Sequence, residues 1–359
     1  MEKRKKAVLF LGQYPEKVSP GQRFRFELYK DVLAEAGIQI TSAPFLNQKG
    51  YSIIHQKGLL FSKGSHIFMG YCRRLLLLFA AGRFDYIFLY REAAPVGPPF
   101  IEWLLIKVLN KKVIYDFDDA IWIPHVSENN TRALALKNVG KIKTICKWAY
   151  KVSAGNEYLC NYAKQFSASV LYNPTCVDTE RKHNIIANHD VDRITIGWTG
   201  SFSTLKYLEL VLPVLEALQK KYDFDIKVIC NQQPSFTIKN LQYVEWSEEK
   251  EVSELATCQI GLMPLTSDEW TEGKCGFKLV QYLSLGIPAV SSPVGVNPKI
   301  VDKDINGFFC NSFEEWYGAI EKLMLDTTLR KRMGEAGRKK IINQYSLQSN
   351  KENFLSLFN

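Results

Sequence analysis

The stretch Thr271 to Gly295, TEGKCGFKLVQYLSLGIPAVSSPVG, decides the fold of this chain. It opens with a loop in which glycines alternate with lysines: Gly273, Lys274, Gly276 and Lys278. An apolar-faced helix follows and ends at Gly286, and a short buried strand comes next, Ile287 to Val290. Strands that alternate with helices in this way predict an α/β domain with a parallel sheet.

The glycine loop at the start of this helix has the composition of an anion site. A helix start presents backbone N–H groups and the positive end of the helix dipole to a ligand. Lys274 and Lys278 add two point charges beside it, which suits a phosphate group. An ordinary surface loop before an α/β helix has a similar composition. This stretch alone therefore fits both an anion site and an ordinary surface loop.

The whole chain has the composition of a globular protein with two domains. It holds 359 residues, of which 46% are hydrophobic and 23% charged, and a domain usually takes about 100–200 residues. Its eight cysteines form no CxxC motif, and scattered reduced thiols are typical of a cytosolic protein. No signal peptide or membrane span is predicted, so we attribute the glycosylation sequon at Asn129 to chance.

Positive charge is concentrated in the first half of the chain. Residues 1–190 hold 27 Lys and Arg against 16 Asp and Glu, whereas residues 191–359 hold 19 against 21. A basic half indicates an anionic partner such as a membrane face, a phosphorylated lipid or nucleic acid. Because no nucleic-acid-binding module is recognisable, we favour the membrane or lipid. The segment Tyr71 to Phe79 suits a helix on an anionic membrane, but we favour a buried position because apolar helices are usually interior.

The first half begins with the strand, helix and strand of a mononucleotide-binding fold. The strand is Ala7 to Gly12, and the helix runs from about Gln22 to Ala36. Arg23 and Arg25 lie in the first helical turn, where cations oppose the helix dipole. Either a ligand anion or simple solvation would account for them.

Three carboxylates, Asp116, Asp118 and Asp119, follow another predicted strand of the first half. Open α/β sheets bind ligands at the carboxyl ends of their strands. Carboxylates there can act as a general base, accept a hydrogen bond from a hydroxyl or bind a metal, and one of them can simply cap the next segment.

The second half repeats the same order of elements after a polar, aperiodic segment. We predict a first domain at residues 1–182, a linker at 183–192 and a second domain at 193–342. Residues 343–359 are predicted to form a C-terminal helix that packs back toward the first domain, because Leu347, Phe354 and Phe358 give that tail an apolar face.

Motifs along almost the whole chain match those of one enzyme family. The second half contains GWTGS, MPL, GKCGFKLVQYLSLGIPAVSSPVGVN and NGFF, and the first contains SPGQRFRFE, YDFDDAIW, AGNEYL and YNPTCVD. Together they resemble glycosyltransferase family 4, whose members are retaining transferases. The resemblance implies the GT-B fold, in which two Rossmann-like, doubly wound parallel-sheet domains face each other across a cleft.

The resemblance also implies an activity and a location. It implies a metal-independent hexosyltransferase that uses a nucleotide-diphosphate sugar as donor and needs no cofactor. The acceptor would be a glycan or a polyprenyl-phosphate-linked sugar in cell-surface polysaccharide or glycoconjugate synthesis. The expected location is cytoplasmic, with the anionic inner face of the cell membrane as a peripheral binding surface and no nucleic acid as partner.

Family positions carry over to particular residues of this chain. Gly200 and Ser201 would lie at the turn that receives the diphosphate, with Lys206 and Lys278 as the catalytic cations. The other donor-binding positions are Gly21, Arg23, Lys274, Gly276 and Gln281, and the acceptor-side catalytic group would be Asp119 or Asp116. The family typically has two glutamates eight residues apart, where this chain has Gly273 and Gln281. This departure puts the usual contact to the donor sugar in doubt, while Gln281 retains the ability to bind a ribose hydroxyl.

Three other functions fit parts of the sequence. A nucleotide-sugar epimerase with the GT-B fold would use the same donor without an acceptor. A non-catalytic nucleotide-sugar-binding protein would fit the missing glutamates. A Rossmann dehydrogenase is disfavoured, because Gly12-Gln13-Tyr14-Pro15 lacks the GxGxxG fingerprint after the first strand.

Overall fold

The computed structural model describes residues 5–54, 56, 58–124 and 138–359. These residues divide into two compact units: Met1–Pro174 with Lys351–Asn359, and Thr175–Asn350. Residues 183–192, which the sequence predicts as a linker, lie inside the second unit, and His183 there is fully buried. The sequon at Asn129 lies outside the described residues.

The first unit is built on a six-stranded sheet in which every paired strand is parallel. The spatial order is β2-β1-β3-β4-β5-β6. Its strands are β1 (Ala7–Gly12), β2 (Gln39–Pro44), β3 (Tyr86–Tyr90), β4 (Lys112–Phe117), β5 (Lys151–Ala154) and β6 (Val170–Tyr172). The central strands β3 and β4 are almost completely buried, as expected of a parallel sheet that helices cover on both faces.

The helices of the first unit are shorter than their sequence pattern suggests. The main ones are Pro20–Arg25, Lys30–Glu35, Gln48–Ile54, Leu60–Ala80, Phe100–Trp103, Lys141–Trp148 and Glu157–Lys164. The continuous helix predicted from Gln22 to Ala36 is wrong, because the backbone leaves helical geometry at Phe26 (φ −137°) and continues as a 3₁₀ turn. The Phe26 ring is fully buried and stacks on Phe10 at 4.0 Å between centroids, so this packing explains the break.

The second unit contains another six-stranded parallel sheet. The spatial order is β12-β11-β10-β7-β8-β9. Its strands are β7 (Thr195–Gly200), β8 (Asp225–Cys230), β9 (Leu241–Glu245), β10 (Ile260–Met263), β11 (Ala289–Ser291) and β12 (Gly307–Phe309). Two such sheets confirm the predicted α/β class with two Rossmann-like, doubly wound domains.

Helices alternate with the strands of the second unit. They are Leu205–Glu209, Leu212–Gln219, Glu251–Leu255, Glu269–Glu272, Phe277–Ser284, Asn297–Ile300, Phe313–Leu325 and Thr327–Gln344, and Leu347–Leu355 leads back into the first unit. Helix Phe277–Ser284 packs directly on the sheet through Tyr282. A Cβ on Gly261 in β10 would lie 2.4 Å from the Tyr282 ring, so only glycine allows this approach. The Tyr282 hydroxyl accepts a hydrogen bond from Thr199 N and donates one to Leu262 O.

Helix Leu60–Ala80 corrects a prediction from the sequence. The apolar segment Tyr71 to Phe79 was expected in the interior, but Leu76 is 68% exposed and Phe79 is 90% exposed. Arg74 takes the buried position instead, and its guanidinium donates hydrogen bonds to the carbonyl oxygens of Gly12, Ala43 and Ala93. No helix among the described residues is long and apolar enough to cross a membrane.

Candidate functional site

The switch point of the second sheet lies between β7 and β10. From β7 the chain proceeds to β8 on one side, and it returns through β10 on the other. Open α/β sheets bind their ligands outside the carboxyl ends of the strands at such a point. The two glycine-containing loops that the sequence singled out, one after β7 and one before helix Phe277–Ser284, both belong to this second unit.

Gly276 is the residue that shapes the second of these loops. It precedes helix Phe277–Ser284 with a left-handed backbone (φ +67°), where residues with a side chain are strained. A Cβ there would also lie 2.2 Å from Ile300 Cδ1 and 2.9 Å from Val296 Cγ1. Position 276 therefore requires glycine for two reasons: the backbone conformation and the packing of the loop.

Lys278 lies in the first turn of this helix and extends over the end of β7. Its Nζ is 4.9 Å from the centroid of the Trp198 ring. Burial raises the pKa of the Cys230 thiol at the end of β8, and the Lys278 ammonium acts in the opposite direction. Lys278 therefore places its charge near the carboxyl ends of β7 and β8, next to the positive end of its own helix.

Trp198 also joins Lys278 to the loop after β7. A Cβ on Gly200 would lie 2.5 Å from Trp198 Cη2, so the backbone of this turn lies directly on the indole. Ser201 is exposed, and its hydroxyl lies 3.0 Å from the hydroxyl of Ser203. Asn231 Oδ1 accepts a hydrogen bond from Phe202 N and fixes the turn. The predicted residues Gly200 and Lys278 thus share one aromatic support.

The remaining predicted residues of the second unit differ in exposure. Lys206 is exposed, and its Nζ lies 5.2 Å from the centroid of the Tyr207 ring. Lys274 is half-buried, and its Nζ lies 4.9 Å from the centroid of the Trp270 ring. Gln281 is only 3% exposed. It lies on helix Phe277–Ser284, which directly follows the loop that Gly276 shapes.

Two buried polar atoms near this loop lack a hydrogen-bond partner among the described residues. They are Ser291 Oγ, at the end of β11, and Asn297 Oδ1, at the start of helix Asn297–Ile300. The loop that joins them packs on the glycine loop, since a Cβ on Gly295 would lie 3.0 Å from Glu272 O. Buried polar groups are normally paired, so these two atoms can accept a hydrogen bond from a ligand or an ordered water.

In the first unit the structure separates the two aspartates that the sequence offered as acceptor-side groups. Asp116 is fully buried and forms an ion pair with Arg25, which is also fully buried. Arg25 Nε donates to Asp116 Oδ2 at 3.0 Å, and Ser153 donates to Oδ1. Burial raises the pKa of Asp116, and Arg25 opposes this shift. The anion that compensates Arg25 is therefore a protein carboxylate.

Asp118 and Asp119 lie nearer the surface, at the carboxyl end of β4. Both accept hydrogen bonds from the Arg91 guanidinium, and Asp118 also accepts one from the Tyr90 hydroxyl at 2.8 Å. Gly21 lies against this cluster, because a Cβ on it would lie 1.9 Å from Tyr90 Oη and 2.5 Å from Asp118 Oδ2. The structure thus brings Gly21 and Asp119 to one cluster and leaves Asp116 in the interior.

Arg23 lies on the same short helix as Gly21. It is 5% exposed, and its guanidinium carbon lies 4.9 Å from the centroid of the Phe24 ring. Among the residues that the structure describes, no group of three His, Cys, Asp or Glu side chains is arranged to hold a metal ion.

The structure also identifies residues that the sequence reasoning missed. The sequence indicates Trp198 only as part of a strand, although its ring supports both Gly200 and Lys278. Asn231 was missed as well, although a polar residue directly after a buried strand is a usable signal at this edge of a sheet. Arg91 has a left-handed backbone (φ +62°), which is rare for such a residue and cannot be inferred from the sequence.

Known proteins resemble this chain in the sequence of its second unit and in fold. Residues 180–340 match the model of the family "Glycosyl transferases group 1". No curated protein matches the chain. Among solved structures, sucrose-phosphate synthase from Thermosynechococcus elongatus superposes with a TM-score of 0.73 at 13% identity, over 99% of this chain and 98% of that one.

Two further solved structures show the same fold. HepE from Anabaena, solved in complex with UDP-glucose, has a TM-score of 0.69 at 12% identity, and each chain is covered over 98% of its length. A glycosyltransferase from Rickettsia africae has a TM-score of 0.66 at 14% identity, over 99% of this chain and 98% of that one. The chain therefore has the GT-B fold, and the match of its residues 180–340 to the group 1 glycosyl transferase model agrees with the resemblance seen in the sequence motifs.

Proposed function

We propose that this protein is a retaining hexosyltransferase that takes its sugar from a nucleotide-diphosphate donor bound to the second unit. The observation that carries the proposal is the arrangement around Trp198. Its indole supports the Gly200 turn on one side and the Lys278 ammonium on another, at the carboxyl end of β7. The match of residues 180–340 to the group 1 family supports the same reading.

The chemistry of glycosyl transfer explains why such an arrangement is useful. The C–O bond to the nucleotide diphosphate breaks as the sugar carbon gains positive charge, and negative charge develops on the departing phosphate. Fixed N–H groups and cations stabilise that charge, and each is typically worth roughly 10²–10³ in rate. Lys278 is held over an aromatic ring, so its ammonium is positioned before the donor binds.

The other donor contacts follow from their places in the second unit. The Gly200–Ser201 turn and the Gly276 loop supply backbone N–H groups for the diphosphate, with Lys206 and Lys274 as further cations. Gln281 binds a ribose hydroxyl through its side-chain amide. We propose that these cations replace a metal ion, in which case transfer continues unchanged in the presence of EDTA.

The acceptor is assigned to the first unit. We propose a glycan or a polyprenyl-phosphate-linked sugar, with Asp119 as the group that orients the attacking hydroxyl. Asp119 is partly exposed and paired with Arg91, whereas Asp116 is buried with Arg25. In a retaining reaction the hydroxyl attacks from the side on which the diphosphate leaves, so no nucleophile of the enzyme is required. We propose that the protein acts in polysaccharide or glycoconjugate synthesis at the inner face of the cell membrane.

A thermal-shift panel tests the donor assignment. UDP, GDP, dTDP, ADP and CMP are added to the wild type, with NADH as a control for a dehydrogenase. Saturation at about 100 times Kd adds about 2.7 kcal/mol to the free energy of unfolding, so one diphosphate should raise Tm clearly. The shift should disappear in Lys278→Ala and persist in Lys220→Ala, which removes an exposed lysine from a different helix end.

Each outcome of the panel separates the proposal from its rivals. A shift from NADH alone, or none from any nucleotide, contradicts the donor assignment. A shift from a diphosphate, with conversion of the sugar of its nucleotide sugar to an epimer in the absence of any acceptor, favours an epimerase. Binding without any turnover favours a nucleotide-sugar-binding protein.

A further inference from the structure

Helix Leu60–Ala80 exposes an apolar face along its whole length. Phe61 is 97% exposed and Phe79, eighteen residues later, is 90% exposed. At 3.6 residues per turn, six of the seven exposed large apolar residues of the helix fall within an arc of roughly 120°: Phe61, Phe68, Met69, Leu75, Leu76 and Phe79. The seventh, Leu60, is the first residue of the helix and lies outside this arc. Helices of globular proteins normally turn a stripe of this kind toward the core.

The opposite face of the helix is fixed to the first unit, so the apolar face cannot turn inward. Arg74 is 2% exposed and donates to three backbone carbonyl groups. Gly70 lies on the Phe45 ring, where a Cβ would be 2.5 Å from Cζ. The Tyr71 hydroxyl donates to Val96 O. These contacts span the middle of the helix and set its rotation.

A second segment continues the exposed apolar face. The connections from β2 to β3 and from β3 to β4 proceed in the same direction along the sheet order. Because such connections are right-handed, their helices cover the same face of the sheet. Lys111 Nζ donates to Gly82 O and Phe84 O, which ties the ends of the two segments together. The second segment adds four exposed side chains: Phe100, Trp103, Val108 and Leu109. We call the two sets together the apolar surface.

The exposed charges of the two segments that form the apolar surface are all positive. No Asp or Glu occurs between Gly58 and Phe84. In the second segment, from Pro99 to Lys112, the one acidic residue is Glu102, which is 1% exposed and accepts a hydrogen bond from Ala93 N. The exposed cations are Arg83, Lys107 and Lys112. A second copy of this chain would bring identical charges against these cations, whereas anionic headgroups would neutralise them.

We propose that the apolar surface docks on an anionic lipid bilayer. Helix Leu60–Ala80 lies in the plane of the membrane with its phenylalanines in the boundary between headgroups and acyl chains, and the cations contact lipid phosphates. Trp103 takes the interfacial position that tryptophan prefers. This surface would bring the proposed transferase to its membrane-bound acceptor. That use of docking rests on the proposed function, whereas docking itself does not.

Vesicle flotation without donor or acceptor tests the docking directly. The full chain is mixed with vesicles of phosphatidylcholine alone, or of phosphatidylcholine with phosphatidylglycerol, at low and high salt. We expect flotation with the anionic vesicles, weaker flotation at high salt and none with neutral vesicles. Phe68→Asp combined with Phe79→Asp should reduce the bound fraction at least tenfold. These positions are 69% and 90% exposed, so the fold should tolerate both changes.

Two further variants make the result specific to this surface. The matched control is Ile305→Asp with Leu325→Asp, which changes exposed apolar residues of the second unit (58% and 64%) and should float as the wild type does. Arg83→Gln with Lys107→Gln should weaken binding about fivefold for each lost cation and reduce its salt dependence. The nucleotide-induced rise in Tm should survive in all three, which separates this proposal from the donor assignment.

Three results would overturn the proposal. The first is a wild type that does not float with anionic vesicles. The second is a Phe68→Asp, Phe79→Asp variant that keeps the nucleotide-induced rise in Tm and floats as well as the wild type. The third is light scattering that shows a wild-type dimer which this variant dissociates, because a second copy of the chain would then cover the surface.

Discussion

Charged side chains at the carboxyl ends of the two sheets have different contact partners in the two units. In the first unit, arginines and aspartates neutralise each other: Arg25 with Asp116 in the interior, and Arg91 with Asp118 and Asp119 nearer the surface. In the second unit the prominent cations lie over aromatic rings, with Lys278 on Trp198 and Lys274 on Trp270. An ion pair balances both charges within the protein, whereas a ring positions a cation through its π face. The first arrangement therefore supports the fold, and the second holds two lysines in place at the loops that we assign to the donor.

Removing the buried cation of the first unit should have the largest effect. Arg25→Met leaves Asp116 buried without its ion-pair partner, and such losses cost about 3–5 kcal/mol of unfolding free energy. Urea denaturation measures the change. Asp116→Leu in the same chain should recover most of it, because the unpaired charge is then gone. A loss below about 1 kcal/mol in Arg25→Met would mean that this pair does not support the fold.

Removing the ring-supported cation of the second unit should affect turnover and spare stability. We expect Lys278→Ala to lower kcat/KM by roughly 10²–10³, equivalent to about 3–4 kcal/mol of transition-state stabilisation. Steady-state kinetics with the donor identified by the nucleotide panel measure this, and Lys220→Ala serves as the control. The two units would not differ as described if Lys278→Ala kept normal turnover but unfolded more easily.

Gly276→Ala should lower both the stability of the protein and its binding of the nucleotide. A left-handed backbone costs an alanine about 1–2 kcal/mol, and the clash with Ile300 Cδ1 adds to this. Distortion of the loop should also weaken the nucleotide-induced rise in Tm. Gly318→Ala is the matched control, because Gly318 lies in helix Phe313–Leu325 with no atom within 4 Å of the new Cβ. That control should stabilise the protein by about 0.5–1 kcal/mol.

The smallest effect should come from pH, through the histidine that holds the far end of the Lys278 helix. His189 Nε2 lies 2.8 Å from Gly286 O, and burial lowers the pKa of this histidine below its ordinary value of 6.5. The unfolded chain therefore binds the proton at higher pH than the folded chain does. The stability contribution is present above pH 6.5 and is lost as the pH falls through the folded pKa.

The variant His189→Gln isolates this contribution. It removes the titrating group and keeps an amide donor for Gly286 O. Denaturation at neutral and mildly acidic pH should show a smaller loss of stability in the variant than in the wild type. Equal losses in the two proteins would assign the acid sensitivity to other groups.

Local patterns predicted the strands and the special glycines well. Strand β1 runs from Ala7 to Gly12 as the apolar run indicates, and the αβ order predicted both sheets. Gly276 stood out in the sequence, and its positive φ explains why. These features depend on neighbouring residues, which a sequence displays directly.

Features that depend on distant partners could not be predicted. Asp116 and Asp119 look equivalent in the sequence, but the partner of Asp116 is Arg25, 91 positions away. The apolar run in helix Leu60–Ala80 indicated a buried element, but Arg74 and its three carbonyl partners turn the leucines outward. The periodicity predicts a helix with an apolar face, and only the partners of Arg74 decide which way that face points.

Hydrogen–deuterium exchange with and without a nucleoside diphosphate tests the central claim most directly. UDP, GDP, dTDP and ADP are each compared with the unliganded protein. The account predicts that one of them slows exchange in the peptides around 199–204 and 273–281 of the second unit, and that Lys278→Ala removes this protection. Protection confined to the strands of the first unit, or no protection around residues 199–204 and 273–281 with any diphosphate, would contradict a donor site built on Trp198, Gly200 and Lys278.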